Sequence, residues 1–163
     1  MFLADGILEG EPMDVEAFNR RTSELIDKYG WAVMYVAPRA GESGCRFAYT
    51  VGLTARDLPE FAIAGLDHDL SIEVLNDVAG QAVSGTVFSH GQQVDEVIED
   101  FGLIVIDGTN ETSQDTIWPG AALQRYGSDV RLFQLVWPDM QGNYPWDEHY
   151  SIPADEQPVL ATP

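Results

Sequence analysis

Apolar and polar positions alternate most regularly along Phe47-Ala48-Tyr49-Thr50-Val51-Gly52-Leu53, and the rest of the chain can be ordered around that stretch. Successive side chains of a strand point to opposite faces, so Phe47, Tyr49, Val51 and Leu53 share one face and Ala48, Thr50 and Gly52 the other. The run Phe61-Ala62-Ile63-Ala64 repeats the pattern. Paired as a hairpin with their small residues aligned, the two strands form a trough of Ala48, Thr50, Gly52, Ala62 and Ala64. A glycine weakens a strand unless a backbone or a ligand must come close. The trough therefore predicts an occupant, either a helix of the chain or a flat ligand.

Upstream, Asp14 is an N-cap and Val15, Phe18, Leu25 and Tyr29 recur at helical spacing until Gly30, which predicts an amphipathic helix. Trp31–Ala37 is apolar on both faces and reads as an interior strand stopped by Pro38. Arg39–Gly44 is a polar loop. Downstream, Asp67 or Asp69 caps a second helix striped by Leu70, Val74, Leu75, Val78, Ala79 and Ala82 and ending near Gly85; its small residues make it the natural filler of the trough. A loop holding Ser89-His90-Gly91 leads to a strand over Val94–Asp100 and an interior strand at Leu103–Ile106. Asp115 is placed to cap a short third helix that carries Pro119 in its first turn and closes at Gly127. Arg131–Trp137 is the last strand, with Gln134 as a candidate buried amide. The pattern predicts one α+β domain over residues 1–163, with a mainly antiparallel, twisted sheet of five to seven strands and about three helices. Residues 1–12 read as an arm and 147–163 as a Pro-rich surface tail.

Composition narrows the partners. The net charge is −19, and no Lys or Arg occurs between Arg56 and Arg125. Such a surface repels phosphate backbones, which excludes direct nucleic-acid binding. It leaves two readings open, a solubilising coat or a face that docks on a basic protein, including one that normally binds nucleic acid. With Cys45 alone there is no intrachain disulfide, and a cytoplasmic home is expected. No run approaches the ~20 apolar residues of a membrane span.

Chemical motifs are sparse. Phosphate-loop, dinucleotide-binding and nucleophile-elbow signatures are absent, and His68, His90 and His149 are too scattered for a zinc signature, so no metal is assigned. His90, between Ser89 and Gly91, is the candidate acid–base group of an enzyme reading, a hydrolase or a flavin-dependent redox protein with the trough as ligand seat. Cys45 beside Arg46 is a candidate nucleophile or a packed thiol. Trp137 and Trp146, with Tyr144, Pro138 and Pro145, offer a recognition surface or a clamp for the C-terminal segment.

Gly30-Trp31, the Phe47–Leu53 stretch, Pro59-Glu60-Phe61, Gly65-Leu66, Gln134–Asp139, Gly142 and Pro145-Trp146 also resemble, from about Lys28 to Trp146, the bacterial family known only as domain of unknown function 4262. The resemblance implies a single domain and draws attention to Tyr49, Thr50, Gly52, Gln134, Trp137 and Trp146. It supplies no activity, substrate or cofactor. The leading expectation is a binding or interaction module, with a homodimer as one arrangement, that takes a small molecule or protein partner. In it Trp137 and Trp146 give contact area, and Thr50 and Gln134 orient a polar group near Tyr49 and Gly52. The cofactor is unknown.

Overall fold

The computed structural model describes residues 14–163; the expected N-terminal arm lies outside them. The first helix, α1 (Val15–Tyr29), begins where the Asp14 carboxylate accepts the Glu16 amide and ends at Gly30, whose left-handed φ of 96° lets its amide reach Ile26 O. Strands β1 (Ala32–Val36), β2 (Phe47–Val51) and β3 (Glu60–Ala64) follow, then α2 (His68–Val83), capped by Asp67. The hairpin β4 (Gln93–Ile98) and β5 (Phe101–Asp107), helix α3 (Gly120–Tyr126) and β6 (Leu132–Val136) complete the order, with short 3-10 turns at Leu53–Arg56 and Gly127–Asp129. The six strands form one sheet in the order β1-β2-β3-β6-β5-β4. Among the described residues only β3 and β6 run parallel, so the chain is an α+β domain with a mainly antiparallel sheet.

Both faces of the sheet are covered, which is why its central strands are apolar throughout. Helix α2 lays Ile72, Leu75, Val78, Ala79 and Ala82 on Val33, Ala48, Ile63 and Leu135. On the other face Phe18, Leu25 and Ile26 of α1 and Ala122 of α3 pack against Met34, Tyr49, Val51 and Ala62. Beside them, Tyr144, Trp146, Val159 and Ala161 pack on Ile104, Ile106 and Val136. Each fully buried Ile, Leu or Val contributes about 1.5–3 kcal/mol, so α2 is fastened chiefly by its apolar stripe.

The expected trough does not form. The hairpin pairs Phe47 with Ala64, Ala48 with Ile63 and Tyr49 with Ala62, so each small residue faces a large one. Residues opposite each other share a face, which puts Ala48 under α2 and Ala62 and Ala64 under α1 and α3. Thr50 and Ala62 therefore lie on opposite sides. Register is fixed by the connection, and a shift of one residue moves every side chain of a strand to the other face. Here the Gly52–Pro59 connection sets the parity that the strands' own pattern leaves undetermined. Helix α2 still packs its Ala79 and Ala82 close to the sheet, in the same cluster as Ala48.

Two further corrections concern boundaries. The fourth strand ends at Ile98, and Glu99 and Asp100 turn the hairpin, with Asp100 at a φ of 66° that aspartate tolerates better than most residues. Asp115 does not cap α3. Its first turn receives a long-range cap instead, the Tyr49 hydroxyl accepting the Ala121 amide at 3.0 Å. No helix among the described residues is long and apolar enough to cross a membrane.

Candidate functional site

The residues singled out in the sequence fall into separate places. Glu60, which sequence reasoning passed over, is the node of the first. It is fully buried, and its carboxylate accepts four hydrogen bonds: Gly52 N at 3.0 Å, Thr54 N at 2.9 Å, Thr54 Oγ1 at 2.8 Å and Thr50 Oγ1 at 2.6 Å. Thr50 Oγ1 in turn accepts the Phe61 amide at 2.9 Å, so the hydroxyl relays the β2–β3 ladder to the carboxylate. An acceptor-only group ringed by four donors suits an ionised carboxylate. Burial nevertheless pushes its pKa above the ordinary value, opposed by the bonds from Thr50, Thr54 and Gly52.

Gly52 explains itself here. It ends β2 at a φ of 126°, and an added Cβ would stand 3.0 Å from Gly30 O and 3.1 Å from the Trp31 Cα. The glycine admits the backbone entering β1, the non-ligand alternative for a strand glycine. Tyr49 faces α3, and burial raises its phenol, with the Glu60 charge a lesser contributor and the Ala121 bond opposing. Thr50 and Gly52 are thus brought together on Glu60, while the Tyr49 hydroxyl serves α3 within the field of that carboxylate.

Gln134 and Trp137 belong to a second place, where the end of the chain is fastened. Gln134 is fully buried; its Nε2 donates to Pro158 O at 2.7 Å and its Oε1 accepts the Leu160 amide at 2.8 Å. Gln157 does the same to Trp137, accepting its N–H at 3.0 Å and donating to its C=O at 2.9 Å. The Trp137 indole donates to Ala64 O at 2.8 Å. Residues 147–156 run mostly along the surface as expected, but from Gln157 the tail is docked by these two amides. A Cβ on Gly65 would stand 2.6 Å from Glu156 O, so the glycine is what lets the tail pass.

Trp146 stands apart from Trp137, in a different apolar cluster. Its ring stacks on Tyr144 with centroids 5.5 Å apart and planes 6° from parallel. Asp139 builds the loop that presents the pair: its carboxylate accepts the amides of Gln141 and Asn143 at 2.9 Å and the amide and hydroxyl of Ser151 at 3.0 Å. Burial works against that charge, but the bonds from Asn143, Ser151 and Gln141 outweigh it and lower the pKa to about 2. Tyr144 then donates to Gly102 O on β5 at 2.7 Å. Burial raises the Tyr144 phenol, and the negative charges of Asp95 and Asp147 raise it further.

The stack therefore adjoins the β4–β5 hairpin, where Glu73, Asp95, Glu96, Glu99 and Asp100 rim an open depression of about 690 Å³. Among the described residues strand β4 is one edge of the sheet and β1 the other. Strand β4 is bulged, with Glu96 at a φ of 66°, a device that discourages uncontrolled strand addition.

His90 lies elsewhere, exposed, in an open depression of about 380 Å³ with Asp107, Thr109, Asn110 and Glu111. Its Nδ1 accepts the Asp107 amide at 2.9 Å, which puts the proton of the neutral ring on Nε2. The Nδ1 lone pair is engaged by that amide. Cys45 is half-buried, and burial pushes its thiol pKa up, leaving little nucleophilic thiolate. His68 pairs with Asp69 and packs edge-on against Tyr35. Among the described residues no three His, Cys, Asp or Glu side chains come together as metal ligands.

No curated protein and no solved structure matches the chain. A family model does: it spans residues 25–151, which include the Glu60 network, Gln134, Trp137, Asp139 and the Tyr144–Trp146 stack. On that match the chain belongs to the family described as Domain of unknown function (DUF4262).

Proposed function

We propose that this protein is an interaction module that holds a basic segment of a partner protein against the β4–β5 edge and the Tyr144–Trp146 stack. The observation that carries the reading is the adjacency of the two: an aromatic pair tied to β5 through Tyr144 and Gly102, within the field of Asp95, beside a rim of carboxylates. Aromatic faces attract Lys and Arg cations and supply rigid contact area, while carboxylates steer and orient the same cations. The β4–β5 hairpin itself lies in a stretch, between Arg56 and Arg125, that holds no Lys or Arg. The other aromatic and polar candidates are committed inside the fold: Tyr49 caps α3, Thr50 serves Glu60, and Gln134 and Trp137 hold the tail. The partner's contact is made by cationic side chains, because the bulge at Glu96 interrupts the ladder an added strand would extend.

The test is a titration with an Arg- and Lys-rich peptide at low and at physiological salt, against the same peptide with citrulline and norleucine in place of the cations. Saturable binding to the cationic peptide alone, weakened by salt and by Asp95→Asn with Glu99→Gln, is expected. Equal binding of both peptides, or indifference to those substitutions, would sink the reading.

A further inference from the structure

His90 occupies a position that a backbone would ordinarily fill. Strands β4 and β5 pair Gln93 with Ile104, and the ladder runs on past the strand through Val105 N to Gln92 O at 2.9 Å and Gly91 N to Val105 O at 2.7 Å. The next amide of β5 on that side is Asp107, and its partner is the His90 imidazole at 2.9 Å. The loop has turned away by then, held by Ser89 N on Gln92 Oε1 and Gln92 N on Ser89 O. A side chain thus supplies the last rung.

We propose that this rung is a proton-operated latch, closed while His90 is neutral and opened when it takes a proton. Only the neutral ring has a lone pair on Nδ1; the imidazolium presents N–H groups at both nitrogens and cannot accept the Asp107 amide. The titratable groups that line the depression with His90 are Asp107 at the end of β5 and Glu111 in the loop beyond it, with Thr109 and Asn110 between them. Both are carboxylates, so a protonated ring exchanges an amide donor for an anionic acceptor by a small rotation. The change is passed on through named atoms. The Asp107 carboxylate accepts Thr109 N at 3.1 Å and Thr109 Oγ1 at 2.6 Å, and Thr109 Oγ1 accepts the Leu132 amide at 3.2 Å, where β6 begins. A proton on an exposed loop histidine is therefore felt at the first residue of a central strand. Nothing in this latch rests on a partner bound at the β4–β5 edge.

The experiment is an amide and imidazole nitrogen NMR titration of the full chain between about pH 8 and 5, the range in which histidines ordinarily change charge. The neutral His90 ring is expected in the Nε2–H tautomer. The Asp107 amide shift should follow the same midpoint as the His90 ring, with Thr109 and Leu132 amides moving in step. Its protection against exchange should fall roughly threefold to tenfold, as the loss of one hydrogen bond allows. In His90→Asn, whose Oδ1 accepts at any pH, the Asp107 amide should stay protected and the shared transition vanish. An Nδ1–H tautomer, or an Asp107 amide whose midpoint differs from that of the His90 ring, overturns the latch. So does the same transition persisting in His90→Asn. Should that variant fail to fold, the wild-type midpoints alone decide.

Discussion

Replacing Glu60 separates two roles that its carboxylate combines. In Glu60→Ala the buried Gly52 amide and the part-buried Thr54 amide lose their acceptor, and both threonine hydroxyls must find new partners. A buried donor left unpaired costs about 1–3 kcal/mol. Two amides give at most about 2–6 kcal/mol, and the relief of removing a desolvated charge lowers this, so a loss of about 2–4 kcal/mol is expected. Glu60→Gln keeps an oxygen for Gly52 and Thr54 and turns an amide toward Thr50, whose hydroxyl already accepts Phe61 N. One hydroxyl proton is stranded, at about 1–2 kcal/mol. The two variants also differ from wild type in pH dependence. Because burial raises the Glu60 pKa above its unfolded value, its contribution is fully present below the unfolded value and is lost as pH rises through the raised one. Across that window Glu60→Gln should gain on wild type as pH increases. Urea unfolding followed by tryptophan fluorescence reads both effects. Should Glu60→Ala cost no more than Glu60→Gln, the carboxylate is not the node described.

Other outcomes follow from the same geometry. Asp139, with its pKa lowered to about 2, contributes stability above its unfolded value and loses it as pH falls toward 2, so acid should loosen the Asn143–Ser151 loop and unstack Trp146 before the sheet melts, an order near-UV circular dichroism can follow. Gln134→Leu leaves Pro158 O and the Leu160 amide unpaired, for about 1–3 kcal/mol, and should open the tail after Glu156 to limited proteolysis while α2 stays protected. Gly52→Ala faces both a φ of 126° and the Gly30 carbonyl at 3.0 Å; a loss of about 1–3 kcal/mol in thermal or urea unfolding is expected, far above an ordinary surface change.

The sequence displayed those parts of the fold that depend on local chemistry. Asp14 and Gly30 bound α1 as capping chemistry requires, and the doubly apolar runs at Ala32–Val36 and Leu103–Ile106 became strands covered on both faces. What it did not display is set by distance along the chain. Hairpin register depends on the Gly52–Pro59 connection, so the trough of small residues was not legible as an error. The cap of α3 comes from Tyr49, 72 residues away. Glu60 looked like one acidic residue among many; the signal that could have found it is its setting, a carboxylate following Pro59 and opening a fully apolar strand, with Thr50, Gly52 and Thr54 close upstream. Gln134 was legible as a buried amide because it interrupts an apolar strand, but its partners lie in a tail whose composition suggests only exposure.

The most direct measurement of the proposed role is an amide and indole chemical-shift map of the protein titrated with the Arg- and Lys-rich peptide. The account predicts shifts confined to Asp95, Glu96, Glu99, Asp100, Gly102, Tyr144 and the Trp146 indole, shrinking as salt is added. Shifts scattered over the whole acidic surface, or centred on Trp137 and Gln134, would contradict it.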